Sequence, residues 1–167
     1  LKPLSKKPVT EVQKSPRVLI EFKETDQTHL VLGVRAFDLF SEERYPLAVI
    51  STILGGIMSS RLFIKVRERK GLAYYIRTFP VHYTDSGYLV THAGLNNEKV
   101  NEAIKIILNE YKDLKSKEIS KSELEKAKEN IKGHLFLGLE TSDAWAGYLG
   151  GQEILRKEIF IPEEEAK

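Results

Sequence analysis

The strand-like stretches of this chain, with alternating or two-sided apolar side chains, lie before Leu95, and from Asn96 onward the apolar positions regroup at about 3.6-residue spacing. Val18, Ile20 and Phe22 alternate with charged or outward positions and predict a strand. Glu24, Thr25 and Asp26 turn the chain, and His29 to Phe37 follow as a second strand, apolar on both faces. Ser41, with Glu42 and Glu43 in the first turn, predicts a helix whose Leu47, Ile50 and Leu54 point inward. Two β-rich arms, Leu72 to Tyr83 and Tyr88 to Gly94, flank Thr84, Asp85, Ser86 and Gly87 and predict a hairpin.

Past Asn96 the period is helical. Val100, Ile104, Ile107, Leu108 and Tyr111 share one face of a helix begun near Asn96 or Asn97. Ser120 with Glu123 reads as a capping box for a second helix, striped by Leu124, Ala127, Ile131, Leu135 and Leu139. A third starts at Thr141 or Ser142 and runs through Trp145, Tyr148, Leu149 and Leu155. Strands followed by helices, joined by hairpins, predict an α+β fold: one antiparallel sheet with helices packed on one face, a two-layer sandwich.

Between the first helix and the hairpin lies the most informative stretch, Gly55 to Tyr74. Paired glycines lead into Ser59 and Ser60, either of which can cap a short helix through Leu62 and Phe63. Arg67, Arg69 and Lys70 fall in its last turn, where the helix dipole favours cations. Gly71 sits where a left-handed cap residue belongs. Arg67 thus closes a helix and Tyr74 opens a strand, seven positions apart across one tight turn.

That unit, preceded by the apolar run Ile50 to Leu54, resembles the C-terminal-type domain of the M16 metallopeptidases, the pitrilysin, insulin-degrading and mitochondrial-processing-peptidase family. Asp26 to Gly33 resembles an early core strand of that domain, and Asp85 to Tyr88 its later hairpin. Ser122 to Lys128 resembles the start of a long helix, and Leu139 to Ser142 with Leu149 to Gln152 the helical region after it. The resemblance covers roughly residues 17 to 158, carried by the order and spacing of these pieces together.

Residues 1–16, with three prolines and four lysines, read as a linker from an upstream domain, and 17–167 as one domain truncated at its C-terminal end. Because the chain begins at Leu1 and its one methionine is Met58, it is expected to be a piece of a longer protein. With 26 basic and 24 acidic side chains, the charge balance gives no support to a nucleic-acid or membrane-surface partner. No apolar run reaches the roughly 18 residues of a membrane helix. The lack of cysteine excludes disulfides, thiol catalysis and thiolate metal sites, without fixing a compartment.

The chemistry of a zinc peptidase of this family requires an inverted His-x-x-Glu-His on a helix, two imidazoles on one face with the Glu as base. None of His29, His82, His92 and His134 stands in that arrangement. The first three fall in predicted strands and the last on a helix, so no metal ligand and no catalytic residue is assigned to this segment. Gly55 and Gly56 lack the lysine and hydroxyl of a phosphate-binding loop, and Ser59 lacks a nucleophile elbow. By resemblance, Arg67 and Tyr74 are substrate-binding residues that contact the peptide backbone near the scissile bond. An arginine fork and a phenol suit the charge that develops on an attacked carbonyl oxygen. A bland reading stands beside this one, with Arg67 a solvated cation and Tyr74 a core aromatic.

The resemblance implies a substrate-binding, chamber-closing domain of a zinc metalloendopeptidase. Zinc would come from a His-x-x-Glu-His-bearing domain or subunit, and the substrates would be peptides or unfolded polypeptides. The alternatives are a non-catalytic scaffold subunit of the same fold and a module that binds peptides without cleaving them.

Overall fold

The computed structural model describes residues 7–10 and 12–166, so the linker expected over 1–16 lies partly outside the described residues. Strands β1 (Thr28–Ala36), β2 (Ala73–His82) and β3 (Gly87–Leu95) form one antiparallel sheet in the order β1-β3-β2. β3 is central, with Leu95 opposite Thr28 on one side and Ala73 on the other. The predicted hairpin is present, and its Tyr83 N–H donates to Ser86 O at 2.8 Å.

Between β1 and β2 the chain forms α1 (Arg44–Ser51) and two π-helical turns, Thr52–Gly56 and Phe63–Glu68. Four further helices follow: α2 (Val100–Ser116), α3 (Lys121–Leu137), α4 (Ser142–Leu155) and the short α5 (Pro162–Glu165). Asn96 caps the single 3-10 turn that leads into α2, accepting from Glu98 N–H at 2.9 Å. Thr141 caps α4 through Ala144 N–H, as its sequence position predicts. Glu165 on α5 ties back to Arg44 of α1 and Arg156 after α4, at 3.5 and 3.2 Å.

One sheet face is packed and the other is not. Ile76, Ala93 and Leu95, with half-buried Leu30 and Leu32, meet Leu54, Leu62, Val66, Ala103 and Ile107 in a single core. The alternate residues of the strands point away from it, as a period of two requires. Three hydroxyls are matched inside: those of Thr78 and Thr91 lie 2.7 Å apart, and that of Tyr111 lies 2.9 Å from that of Thr91.

Four local expectations are corrected. Residues 18–22 are not a strand; Val18, Leu19, Ile20 and Phe22 are 81–97% exposed in unpaired backbone. Alternation prepares one face for burial, but a strand also needs a neighbour for its backbone groups. Neither Ser59 nor Ser60 caps a helix: the Ser60 hydroxyl is buried without a partner, and the turn opens on Ser60 C=O accepting from Ile64 N–H. The Ser120 box is half made, since Glu123 N–H donates to Ser120 Oγ while the Glu123 carboxylate goes elsewhere. On α2, Leu108 is 50% exposed, and the buried face runs through Ala103, Ile107 and Glu110.

Candidate substrate-contact site on the Arg61–Tyr74 turn

The second π-helical turn is held from inside by Leu62 and Val66, both fully buried, and by Leu72 just beyond it. Its wider i→i+5 hydrogen bonding is seen in Arg69 N–H donating to Ile64 O at 2.9 Å. Gly71 ends the turn with φ +56°, the left-handed conformation predicted for it, and donates to Arg67 O at 3.0 Å. A side chain there would be strained, so the reversal from helix to strand depends on this glycine.

Arg67 and Tyr74 stand on either side of that reversal. The Arg67 guanidinium lies over the Phe63 ring, 4.8 Å from its centroid, and is exposed. Among the described residues no carboxylate pairs with it. Tyr74 falls in a bulge of β2: Ala73 pairs with Leu95 and Tyr75 with Gly94, leaving Tyr74 unpaired between them. Such a bulge re-aims a side chain, and Tyr74 is 65% exposed. It is therefore not a core aromatic. No hydrogen bond or ring contact joins Arg67 to Tyr74 among the described residues.

Three neighbouring cations are engaged, while Arg69, like Arg67, is exposed and has no ion pair among the described residues. Arg61 forks onto Glu123 of α3, with Nε and one terminal nitrogen each 2.7 Å from a carboxylate oxygen. That hydrogen bond holds the Glu123 carboxyl below its usual range and raises the Arg61 guanidinium further. Lys65 pairs with Glu110 and Lys70 with Glu102, both on α2. The partners Glu110, Glu102 and Glu123 escaped sequence reasoning, because a contact between distant elements leaves no local pattern.

The histidines lie where the sequence puts them, one in each strand and one in α3, and each has an ordinary neighbour. His29 Nδ1 lies 3.0 Å from the Tyr75 hydroxyl, His82 Nδ1 2.7 Å from Phe37 O, and His134 Nδ1 2.9 Å from Asn130 O. His92 meets the Phe79 ring edge-on at 5.0 Å. Among the described residues no three His, Cys, Asp or Glu side chains are grouped to hold a metal ion. Among the described residues the donor set does not fit zinc.

Residues 2–131 match the sequence profile of the family described as "Peptidase M16 inactive domain". The chain belongs to the M16 peptidase family. The resemblance read from the Gly55–Tyr74 unit is therefore correct. A relative named "Uncharacterized zinc protease YmxG" of Bacillus subtilis is 40% identical over 133 residues, 80% of this chain and 32% of its own length. A crystal structure of a protease from Helicobacter pylori is similar at TM-score 0.72 and 27% identity, over 80% of this chain and 32% of that one. A chain of complex III from Candida albicans shares the fold at TM-score 0.74 and 20% identity, over 85% of this chain and 36% of that one. This M16 domain thus spans about a third of the length of the curated relatives it matches. Among the described residues, no helix is long and apolar enough to cross a membrane.

Proposed function

We propose that this chain is the substrate-gripping, chamber-closing domain of a zinc metalloendopeptidase, with residues 17–167 as one domain behind a linker. The zinc ion belongs to a His-x-x-Glu-His-bearing M16 domain or subunit, where it supplies an activated water. The substrates are peptides or unfolded polypeptides enclosed between the two.

The observation that carries this reading is the contrast along one turn. Arg61, Lys65 and Lys70 each hold a carboxylate, whereas Arg67, Arg69 and the bulged Tyr74 face solvent with no polar side-chain partner, and of the two open arginines only Arg67 is set over an aromatic ring. A guanidinium and a phenol left open on either side of one tight turn are donors available to a peptide carbonyl. Backing from the buried core of the turn pre-orients them, so little reorganisation accompanies the growth of charge on oxygen. Fold alone does not decide the matter, because the same fold occurs in a protease and in a chain of complex III. A scaffold has no use for the open pair, and that favours the peptidase.

The test is Arg67→Ala and Tyr74→Phe in the full-length enzyme. Each should lower turnover of an internally quenched peptide by about 10²- to 10³-fold, the cost of one oxyanion donor. Zinc content and thermal midpoint should stay at wild-type values. Wild-type hydrolysis by both variants would make the pair structural and leave the scaffold reading in possession.

A further inference from the structure

Among the ion pairs that tie the Arg61–Lys70 segment to the helices behind it, one is set apart by burial. Lys70 and Glu102 are about half exposed, with side-chain exposures of 51% and 49%; such a pair contributes little. Lys65 is 44% exposed, but its partner Glu110 has a side chain only 4% exposed. Its Oε2 is buried with no hydrogen-bond partner, and Lys65 donates to Oε1. The Arg61 guanidinium lies near enough to feel the same charge. A carboxylate so far from water is held by very few groups, and removing its cation leaves a buried charge uncompensated.

Lys65 stands two positions after Phe63 and two before Arg67. Two residues make roughly half a helical turn, so Lys65 and the Phe63–Arg67 stack occupy opposite sides of the same short helix. One side is fastened to α2 through Glu110, and the other presents the guanidinium on its aromatic rest. Leu62 and Val66 hold the turn by apolar packing, which is non-directional, so a hydrogen-bonded ion pair adds a directional restraint on its rotation. An anchor directly behind the presented residue resists that rotation best.

We infer that the Lys65–Glu110 pair, with its carboxylate buried, is a positioning device that fixes the rotation of the Phe63–Glu68 turn and thereby the place from which Arg67 reaches a substrate. This rests on the proposed role of Arg67. Lys65 and Glu110 touch no substrate; they act through the turn.

The experiment is a double-mutant cycle in the full-length, zinc-loaded enzyme, using an internally quenched peptide that the wild type cleaves. Glu110→Gln should lower kcat/KM by about 10-fold, since small misplacements of a positioning group carry costs of that order or more. In the Arg67→Ala background the same change should cost less than about twofold, because its effect passes through the residue already removed. Lys65→Met should behave alike, Lys65→Arg should recover most of the loss, and Lys70→Met should have little effect. Hydrogen exchange gives a readout independent of activity. Peptides spanning 64–75 should exchange faster in Glu110→Gln, through the Arg69, Gly71 and Leu72 amides, while those spanning 87–95 keep wild-type protection. Equal losses with and without Arg67, or unchanged exchange over 64–75, would overturn the inference while leaving the proposed function standing. Should Arg67→Ala itself leave turnover untouched, the proposed role of Arg67 falls, and the exchange data alone then judge whether the pair fixes the turn.

Discussion

Gly55 rests so closely on Thr78 that a Cβ at residue 55 would stand 2.4 Å from the threonine Oγ1 and 2.7 Å from its backbone nitrogen. The first π-helical turn therefore touches β2 backbone to backbone, at a strand position whose hydroxyl is already engaged with Thr91. Gly56, one residue on, has only ordinary or slightly tight neighbours at 3.4–3.5 Å. Gly55→Ala should cost about 1–3 kcal/mol through overpacking, lowering the melting temperature by roughly 2–12 °C for a domain of this size. Gly56→Ala should stay within about 0.5 kcal/mol. Differential scanning fluorimetry of both variants checks the contrast, and equal midpoints would show that the contact at Gly55 relaxes freely.

The Arg61–Glu123 fork makes a prediction about acid. The arginine hydrogen bond holds the folded-state carboxyl of Glu123 below its usual range, against the opposing effect of its own burial. A depressed folded value means that the unfolded chain takes up the proton first as pH falls. The fork's contribution is therefore present above the ordinary glutamate range near about 4.3 and is lost as pH drops through the lower folded value. Glu123→Gln should flatten this part of the stability-against-pH curve, measured by urea unfolding between neutral pH and acid. Because both side chains are partly exposed, the effect at neutral pH should be no more than about 1 kcal/mol. An unaltered acid limb in the variant would assign that limb to other carboxylates.

Much of the architecture was legible in sequence because the responsible forces are local. The change of apolar period near Asn96 marks the end of the sheet, and the Gly71 cap and the Asn96 and Thr141 caps stand where short-range hydrogen bonding puts them. Local rules failed where a distant partner decided the matter. Glu123 leaves the capping box for a guanidinium 62 positions away in sequence, and a bidentate charged bond outweighs a single contact to a helix end. Residues 18–22 have the alternation of a strand and no neighbour beside them. At the candidate site, Arg67 and Tyr74 are proposed from the frame around them. Their exposure, the bulge at Tyr74 and the buried Glu110 carboxylate behind Arg67 are three-dimensional facts that spacing does not encode.

Metal dependence should separate the two parts of the enzyme. In the full-length protein, chelation should abolish peptide hydrolysis, while the Phe63–Glu68 turn keeps its hydrogen-exchange protection, since no metal-holding group exists among the described residues of this domain. The 167-residue chain, dialysed and analysed for metals, should carry no stoichiometric zinc. Tightly bound zinc in that preparation would require ligands outside the described residues and would move part of the catalytic centre into this chain.

Arg67→Lys is the sharpest probe of the grip. Lysine keeps the positive charge but replaces a planar fork of five donors with a point charge on a flexible stem. It also stacks less well on the Phe63 ring, which the guanidinium meets at 4.8 Å. If Arg67 acted only as a diffuse positive charge, Lys would restore nearly full turnover, and raising the salt concentration would weaken both proteins alike. If it acts as an oriented donor to a peptide carbonyl, Lys should recover only a small part of the roughly 10²- to 10³-fold lost in Arg67→Ala. The division between kcat and KM then says when the bond is made. A fall in kcat with KM unchanged places it in the transition state; a rise in KM with kcat preserved places it equally in the bound ground state. Steady-state kinetics on one quenched peptide, with melting temperature and zinc content as controls, distinguishes these cases.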